Sequence, residues 1–331
     1  MPELPEVETI CRGLNQVTPD REIVGGDVLL NSSIARPISA TDFLAKLQGK
    51  SIFRWYRRGK YLLAELSQFP AGEGERESAR GGDGEMGRWG DFRFQTPIDS
   101  QLDSQLSASS FPLPPGSFGP SKAGWLGVHL RMTGQLLWVD RSEPLPKHAR
   151  VRLFFEGNKE LRFVDQRTFG QMWYVPAQTE VANTVTGLKL LGPEPFSEEF
   201  TTAYLTRKLH RRRRSIKAAL LDQSLLAGLG NIYADEVLFV SGILPATLGA
   251  DLTAEQIERI HSAIIQVLQK AIESGGTTFS NYLNVQGVNG NYGGVAWVYN
   301  RTGQPCRQCS SPIERIRLAA RSTHFCPQCQ H

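Results

Sequence analysis

The spacing of apolar positions divides the chain into two unlike parts. Near the N-terminus Val7, Ile10 and Leu14 recur at helical intervals and predict one amphipathic helix, closed by Gly13 or Asn15. Short alternating runs follow at 23–30, 51–56, 60–66, 125–130, 135–139, 150–155 and 160–164, the period of half-buried strands. Arg57-Arg58-Gly59 and Glu156-Gly157-Asn158 read as hairpin turns between neighbouring runs. Beyond residue 197 the period becomes helical. One helix is predicted over 197–210, Ser215 can cap a second through Leu221, and Gly228-Leu229-Gly230-Asn231 turns into a third over 232–240. Thr253-Ala254-Glu255-Gln256 carries the capping-box pattern, and Ile257, Ile260, Ile264, Leu268 and Ile272 extend that helix to Gly275-Gly276.

These periods predict an α+β fold: an N-terminal antiparallel β-sandwich with flanking helices, then a helix-two-turns-helix domain and a four-cysteine finger. The expected boundaries are 1–180 for the sandwich, 181–195 for a linker, 196–294 for the helical domain and 295–331 for the finger. One stretch breaks the rhythm. Residues 68–124 are rich in Gly, Pro and Ser and lack sustained periodicity, so they read as a long, largely disordered insertion.

Composition narrows the class. The 331 residues are 40% hydrophobic and 21% charged, a globular balance. No apolar run approaches the length of a membrane span, and the N-terminus lacks a signal-peptide pattern, so a cytoplasmic protein is expected. The net charge of +4 is modest, but the insertion is acidic and the remainder therefore more basic. A basic body suggests a polyanionic partner, nucleic acid first.

Cysteine usage is more specific. Four of the five cysteines fall in the pattern Cys306-x2-Cys309-x16-Cys326-x2-Cys329. Two thiolate pairs separated by a hairpin-sized span complete a tetrahedral zinc site and leave no open position, which makes the zinc structural. Strands are expected over 312–318 and 323–325, with Arg321 near the tip and Arg307, Arg315 and Arg317 giving the finger a basic surface. Cys11, on the apolar side of the first helix, packs as a small hydrophobe.

Two further stretches admit two readings each. The run from Arg207 through Arg211, Arg212, Arg213 and Arg214 to Lys217 is strongly basic and contains no acid. It is either a solvated charge run or, with the free N–H groups of the helix start at 228–231, a clamp on a DNA backbone; the second is favoured. The opening Met1-Pro2-Glu3-Leu4-Pro5-Glu6 is a helix start by composition. It also suits chemistry. Once Met1 is removed, Pro2 presents a secondary amine able to form an iminium with a sugar carbon, with Glu3 and Glu6 beside it. Met132 and Phe169, on loops at 129–134 and 165–170, fit either an intercalating wedge or ordinary core packing, and spacing alone favours packing.

Several motifs in order decide among these readings. Pro2-Glu3-Leu4-Pro5-Glu6-Val7-Glu8-Thr9, Arg58-Gly59-Lys60-Tyr61-Leu62-Leu63, Gly192-Pro193-Glu194-Pro195, Gly230-Asn231-Ile232-Tyr233-Ala234 and the four-Cys finger together resemble the bacterial formamidopyrimidine-DNA glycosylases. The resemblance covers nearly all of the chain outside the insertion. It implies a monomer that acts on double-stranded DNA containing oxidised purines or abasic sites, holds one structural Zn2+ and has no membrane partner. In the mechanism it implies, Pro2 attacks C1′ of a flipped-out lesion nucleotide and Glu3 acts as general acid on the sugar. Glu6 holds the charged N-terminus, while Lys60 and Arg321 move protons or contact phosphate during elimination. By the same resemblance His148, Arg167, Arg212, Lys217 and Asn231 contact DNA, and Met132, Arg167 and Phe169 fill the gap left by the flipped base.

Departures from the family pattern fall at Thr168, Arg131, Arg150 and Ser280 and bear on how sharply 8-oxoguanine is preferred. Lys60 and Met132 belong at the DNA end of two neighbouring strands, and 68–124 joins the opposite ends, roughly 20 Å away. Deleting the insertion is therefore expected to spare excision. The alternatives are an endonuclease VIII-like enzyme for oxidised pyrimidines and a zinc-finger DNA-binding module without catalysis.

Overall fold

The computed structural model describes residues 1–36, 39–68, 121–210, 213–277 and 285–331. Arg212, Ser280 and nearly all of the expected insertion lie outside the described residues. Helix α1 (Leu4–Val17) starts with a proline in its first turn and runs to a cap at Thr18. It is followed by β1 (Ile23–Val28), the short β2 (Ile34–Arg36), α2 (Ala40–Leu47), β3 (Lys50–Arg58) and β4 (Tyr61–Gln68). After the insertion come β5 (Trp125–His129), β6 (Gly134–Asp140), β7 (Ala149–Phe155), β8 (Lys159–Asp165) and β9 (Gln171–Val175).

The strands form a four-stranded sheet, β1-β7-β8-β6, and a five-stranded sheet, β2-β9-β5-β4-β3. One continuous core takes Val151, Leu153, Phe155, Leu161 and Phe163 from the first sheet and Ile52, Trp55, Leu62, Leu126, Val128 and Met172 from the second. Val7, Ile10 and Leu14 of α1 and Phe43 and Leu47 of α2 enter the same core. The sandwich is therefore as expected, with one difference. β2 pairs with β9 in parallel, whereas every other strand pair is antiparallel. The intervening α2 and the strands after it carry the chain back across the sheet, so β2 arrives in the same direction as its neighbour. β2, β9 and α2 are absent from the sequence reading. β2 has only three residues, too few to show a period, and the Ser39 cap of α2 passes unnoticed between strands.

The expected linker is ordered. Helix α3 (Val181–Thr184) and a 3-10 turn at Thr186–Leu190 bury Val181, Val185 and Leu188 against Tyr61, Leu63, Trp125 and Trp173 on the outer face of the five-stranded sheet. The helical half then contains α4 (Thr202–Leu209), α5 (Ile216–Leu220), α6 (Asn231–Ser241) and α7 (Ala254–Glu273). The helix expected from 197 starts later, because the Thr201 side chain caps Tyr204 N and fixes the first turn there. Ser215 caps Ala218 N at α5, and the Thr253–Gln256 capping box forms at α7, both as expected.

Helix α6 has no polar face. Ile232 to Phe239 are all buried, including Asp235 and Glu236. A helix apolar on every side is surrounded on every side, and α6 meets the helical core, the N-terminus and the finger. The finger hairpin consists of β10 (Glu314–Leu318) and β11 (Arg321–Phe325), whose small core of Val298, Ile313, Cys306 and Cys326 closes on Phe239 of α6.

Candidate active site

The first residues dock onto α6. Leu4 N donates to Gly228 O at 3.0 Å, and Leu4 packs into the helical core while Val7 and Ile10 pack into the sandwich core. Both neighbouring glycines are required for this approach. A Cβ at Gly230 would lie 2.2 Å from the Glu3 carboxyl carbon, and Gly228 has φ +90 with Leu4 against it. The Glu3 side chain ends at the start of α6, where Oε1 accepts from Ile232 N at 3.0 Å and Oε2 from Tyr233 N at 3.4 Å. This corrects the expected phosphate cradle. Two of the N–H groups at that helix start, those of Ile232 and Tyr233, are filled by the chain's own carboxylate, which has the same helix-dipole stabilisation a phosphate would.

Glu6 completes the dock. Its Oε2 accepts from Glu3 N at 2.8 Å, and its Oε1 accepts from the Tyr233 hydroxyl at 2.6 Å and from Thr277 N at 2.7 Å. Burial lifts the Glu3 carboxyl above its ordinary range against the pull of Lys60 and the two amides. Burial, with the Glu3 carboxylate alongside, pushes Glu6 up to about 7. Pro2, preceded by Met1, is buried at this junction. The helix-start reading holds: a proline lies in the first turn of α1, and Glu3 and Glu6 form its capping box.

Lys60 reaches the site from a two-residue turn. β3 runs through Arg58, which pairs with Tyr61, so the turn is Gly59-Lys60 and the arginines belong to the strand. Glu194 fixes that turn. It accepts from Gly59 N at 2.6 Å, Arg57 Nη1 at 2.7 Å and Arg58 Nη1 at 2.9 Å, while Arg57 Nε donates to Glu8 of α1 at 2.8 Å. Burial lowers the Lys60 ammonium, opposed by the Glu3 and Glu6 charges and reinforced by Arg321. Beside it on β5, His129 is buried and pushed down to about 3, burial acting first and Arg131 and Lys60 next. Its Nδ1 accepts from Arg131 N at 3.0 Å, so the neutral ring carries its proton on Nε2.

Sequence reasoning assigned no role to Glu194 or His129. The motif containing Glu194 was visible, but its partners lie 135 to 137 residues away.

The finger supplies Arg321, exposed as the first residue of β11 after Ala319 and Ala320, which both adopt positive φ. Asn231 Nδ2, at the start of α6, donates to Ser322 O at 3.1 Å. Lys217 behaves differently from the expectation that it contacts DNA. It is fully buried, donates to Ser322 O and Thr323 Oγ1, each at 2.8 Å, and forms an ion pair with Asp235 Oδ1 at 2.6 Å.

The remaining predicted residues sit on sandwich loops. Asp165 ties two of them together, accepting from Thr133 Oγ1, Arg167 N and Gly170 N. Phe169 is 52% exposed with the Arg167 guanidinium over its ring, and Met132 is half-buried. The packing alternative for Phe169 therefore fails. His148 lies beside Arg150, whose Nε donates to Asp165 O at 2.8 Å.

The four cysteine sulfurs lie within 4.8 Å of one another, with Cys306–Cys329 at 3.9 Å and Cys309–Cys326 at 3.4 Å. Tetrahedral thiolates about 2.3 Å from zinc stand about 3.8 Å apart. The donor set and its spacing fit one structural zinc, held by Cys306, Cys309, Cys326 and Cys329. No helix among the described residues is long and apolar enough to cross a membrane.

Comparison with known proteins covers the same segments. Residues 1–172 match the formamidopyrimidine-DNA glycosylase N-terminal domain, 191–282 the formamidopyrimidine-DNA glycosylase H2TH domain, and 303–331 the zinc finger found in FPG and IleRS. The chain is 55% identical over 339 residues to the formamidopyrimidine-DNA glycosylase of Trichodesmium erythraeum and 56% identical over 330 residues to that of a Nostoc species, with 100% of each chain covered. Among solved structures it resembles a Lactococcus lactis FPG variant in complex with a Fapy-dG containing DNA, at TM-score 0.77 and 29% identity over 100% of both chains. It equally resembles Lactococcus lactis Fpg with an abasic site containing DNA, at TM-score 0.77 and 29% identity over 99% of both.

Proposed function

We infer what this chain does from a premise that the matches establish: it belongs to the formamidopyrimidine-DNA glycosylase family. It is a base-excision-repair glycosylase and abasic-site lyase whose partner is DNA carrying oxidised purines or abasic sites. The observation that carries this for the present residues is the docking of Glu3 and Glu6 on α6, which fixes the second residue of the chain among a buried acid pair and Lys60.

The roles proposed for single residues follow from that geometry. With Met1 removed, the Pro2 amine attacks C1′ of the flipped nucleotide, the base leaves with the glycosidic electron pair, and the proton lost from the amine nitrogen goes to the departing base. Glu3, kept protonated more readily by burial, delivers its proton to the ring oxygen as the sugar opens to a cationic iminium. The iminium is an electron sink, so the adjacent C2′ proton becomes acidic and the 3′ and then the 5′ phosphate can leave by elimination. Lys60, with its ammonium lowered by burial, exchanges protons in these steps, and Arg321 holds a phosphate. Glu6 fixes the N-terminus through Glu3 N.

His148, Arg167, Arg212 and Asn231 contact the duplex, and Met132, Arg167 and Phe169 fill the vacated stack. Catalysis is assigned to 1–180, the helix-two-turns-helix domain to 196–294 and the finger to 295–331, and the protein is placed in the cytoplasm on the nucleoid.

The test is reduction with borohydride in the presence of a duplex containing an oxidised purine or an abasic site. A covalent protein–DNA adduct at the N-terminal residue is expected. Absence of any adduct with both duplexes would overturn the iminium mechanism.

A further inference from the structure

We propose that Asp235 is a positioning residue for Arg321: through Lys217 and His324 it clamps β11 to the helical domain and so fixes the finger tip over the site. This rests on the reading above that Arg321 meets a DNA phosphate. The need for a clamp follows from the hairpin itself. Arg321 is exposed and follows a two-residue turn in which Ala319 and Ala320 have φ of 50° and 58°. Left-handed backbone is disfavoured for alanine, so the turn is held in place by what β11 is bonded to and not by its own preference. A zinc bound by Cys326 and Cys329 would hold the hairpin from its far end, beyond Phe325.

What holds the near end is a set of bonds to the three residues that follow Arg321. Ser322 O accepts from Lys217 Nζ and Asn231 Nδ2, Thr323 Oγ1 accepts from Lys217 Nζ, and His324 N donates to Asp235 Oδ2 at 2.9 Å. His324 Nδ1 lies 3.1 Å from the same oxygen, and Lys217 Nζ lies 2.6 Å from Asp235 Oδ1. Among the described residues Asp235 is thus the group in contact both with the finger and with the lysine that grips the finger. It is buried on α6, four residues beyond Asn231 and in the same helix whose first turn seats Glu3. One rigid helix therefore sets the distance between the N-terminal chemistry and the finger tip.

The bonds also explain why Lys217 is buried. Asp235 is the carboxylate in direct contact with its charge, and a buried ammonium that loses its partner is strongly destabilised. In Asp235→Asn the side chain still accepts from His324 N, but its amide N–H groups would face the Lys217 donors. The lysine should then withdraw from Ser322 and Thr323, and the tip loosen while the four-thiolate zinc site stays intact.

The experiment measures binding of the full, zinc-loaded chain to a duplex containing a tetrahydrofuran abasic analogue, which requires no chemistry. Arg321→Ala and Asp235→Asn are each expected to weaken binding about tenfold and to make the dependence of log K on log salt shallower by about 0.9, one phosphate contact. The double variant should be no weaker than Arg321→Ala alone, because the two act as one unit. Thr323→Val, which removes one acceptor of Lys217 without altering its shape, should show a smaller loss with the same non-additivity and serves if Asp235→Asn does not fold. Bound zinc should remain one per chain throughout.

Independent, multiplicative losses in the double variant, or native-like binding by Asp235→Asn, overturn the clamp and leave the role of Arg321 standing. Native-like binding and salt dependence in Arg321→Ala overturn the phosphate reading, and the proposal with it.

Discussion

The floor and the rim of the site are built in opposite ways. On the floor Glu3 and Glu6 are 2% and 1% exposed, and each carboxylate is already bonded to amides or a hydroxyl before any substrate arrives. On the rim Phe169 is 52% exposed, and the loops are tied at their backbones by Asp165 while their side chains stand free of the core. On the proposed mechanism, bond-making requires groups whose position does not reorganise, and buried, hydrogen-bonded carboxyl groups supply that. Probing a duplex requires apolar side chains still in water, so that inserting them into the stack gains burial. A rigid backbone under an exposed side chain satisfies the second requirement without sacrificing geometry.

The sharpest break in this contrast is Glu3→Gln. It retains a carbonyl acceptor for Ile232 N but has no proton of suitable acidity, so single-turnover excision should fall about 10²- to 10⁴-fold, while circular dichroism and zinc content stay unchanged. Excision within tenfold of native would remove Glu3 from the chemistry.

The next effect concerns how the floor responds to pH. The folded pKa of Glu6 is about 7 against a reference of 4.5. Between those values the native chain binds more protons than the unfolded one, so stability is highest below 4.5 and declines as pH rises through 7. The contribution amounts to about 3 kcal/mol. Whatever Glu6→Gln does at pH 5, its urea-unfolding free energy should decline less from pH 5 to pH 8 than that of the native chain, by about 2 to 3 kcal/mol, the part of that contribution lost in this window. Parallel declines in the two proteins would show that Glu6 is ionised throughout.

The smallest effect belongs to the rim. Phe169→Ala should leave stability within about 0.5 kcal/mol, as for other exposed sites, and weaken lesion-duplex binding by about tenfold. Asp165→Ala should lower both binding and stability, since it removes the acceptor that three backbone or hydroxyl donors share. A large stability loss from Phe169→Ala would mean that the ring is part of the fold.

The same contrast separates what could be read from the sequence from what could not. Ser215, the Thr253–Gln256 box and the four cysteines act over a few residues or through a fixed spacing, so their chemistry is written locally. The strands 50–68 and 125–165 are legible because alternation is a local signal. Glu194, Asp235 and Glu236 are not. Glu236 accepts from the backbone of Trp297, Val298 and Tyr299, more than sixty residues on, and nothing near it in the chain announces those partners. Gly230 illustrates the ambiguity in the other direction. Its helix start has the chemistry of an anion site, and only the fold reveals that the anion is Glu3. The family resemblance and the basic run around it place Lys217 on DNA, whereas an acid eighteen positions later draws it into the interior.

The seating of Glu3 on Ile232 also imposes a timetable. The two residues are 229 positions apart, and a ribosome adding 5 to 20 residues per second needs roughly 10 to 45 s to make the second after the first. Throughout that interval the N-terminal segment of the nascent chain has no α6 on which to dock. The carboxylates of Glu3 and Glu6 therefore wait for their α6 partners until the helical half has been made, and the floor of the site is completed last although its residues are the first to be synthesised.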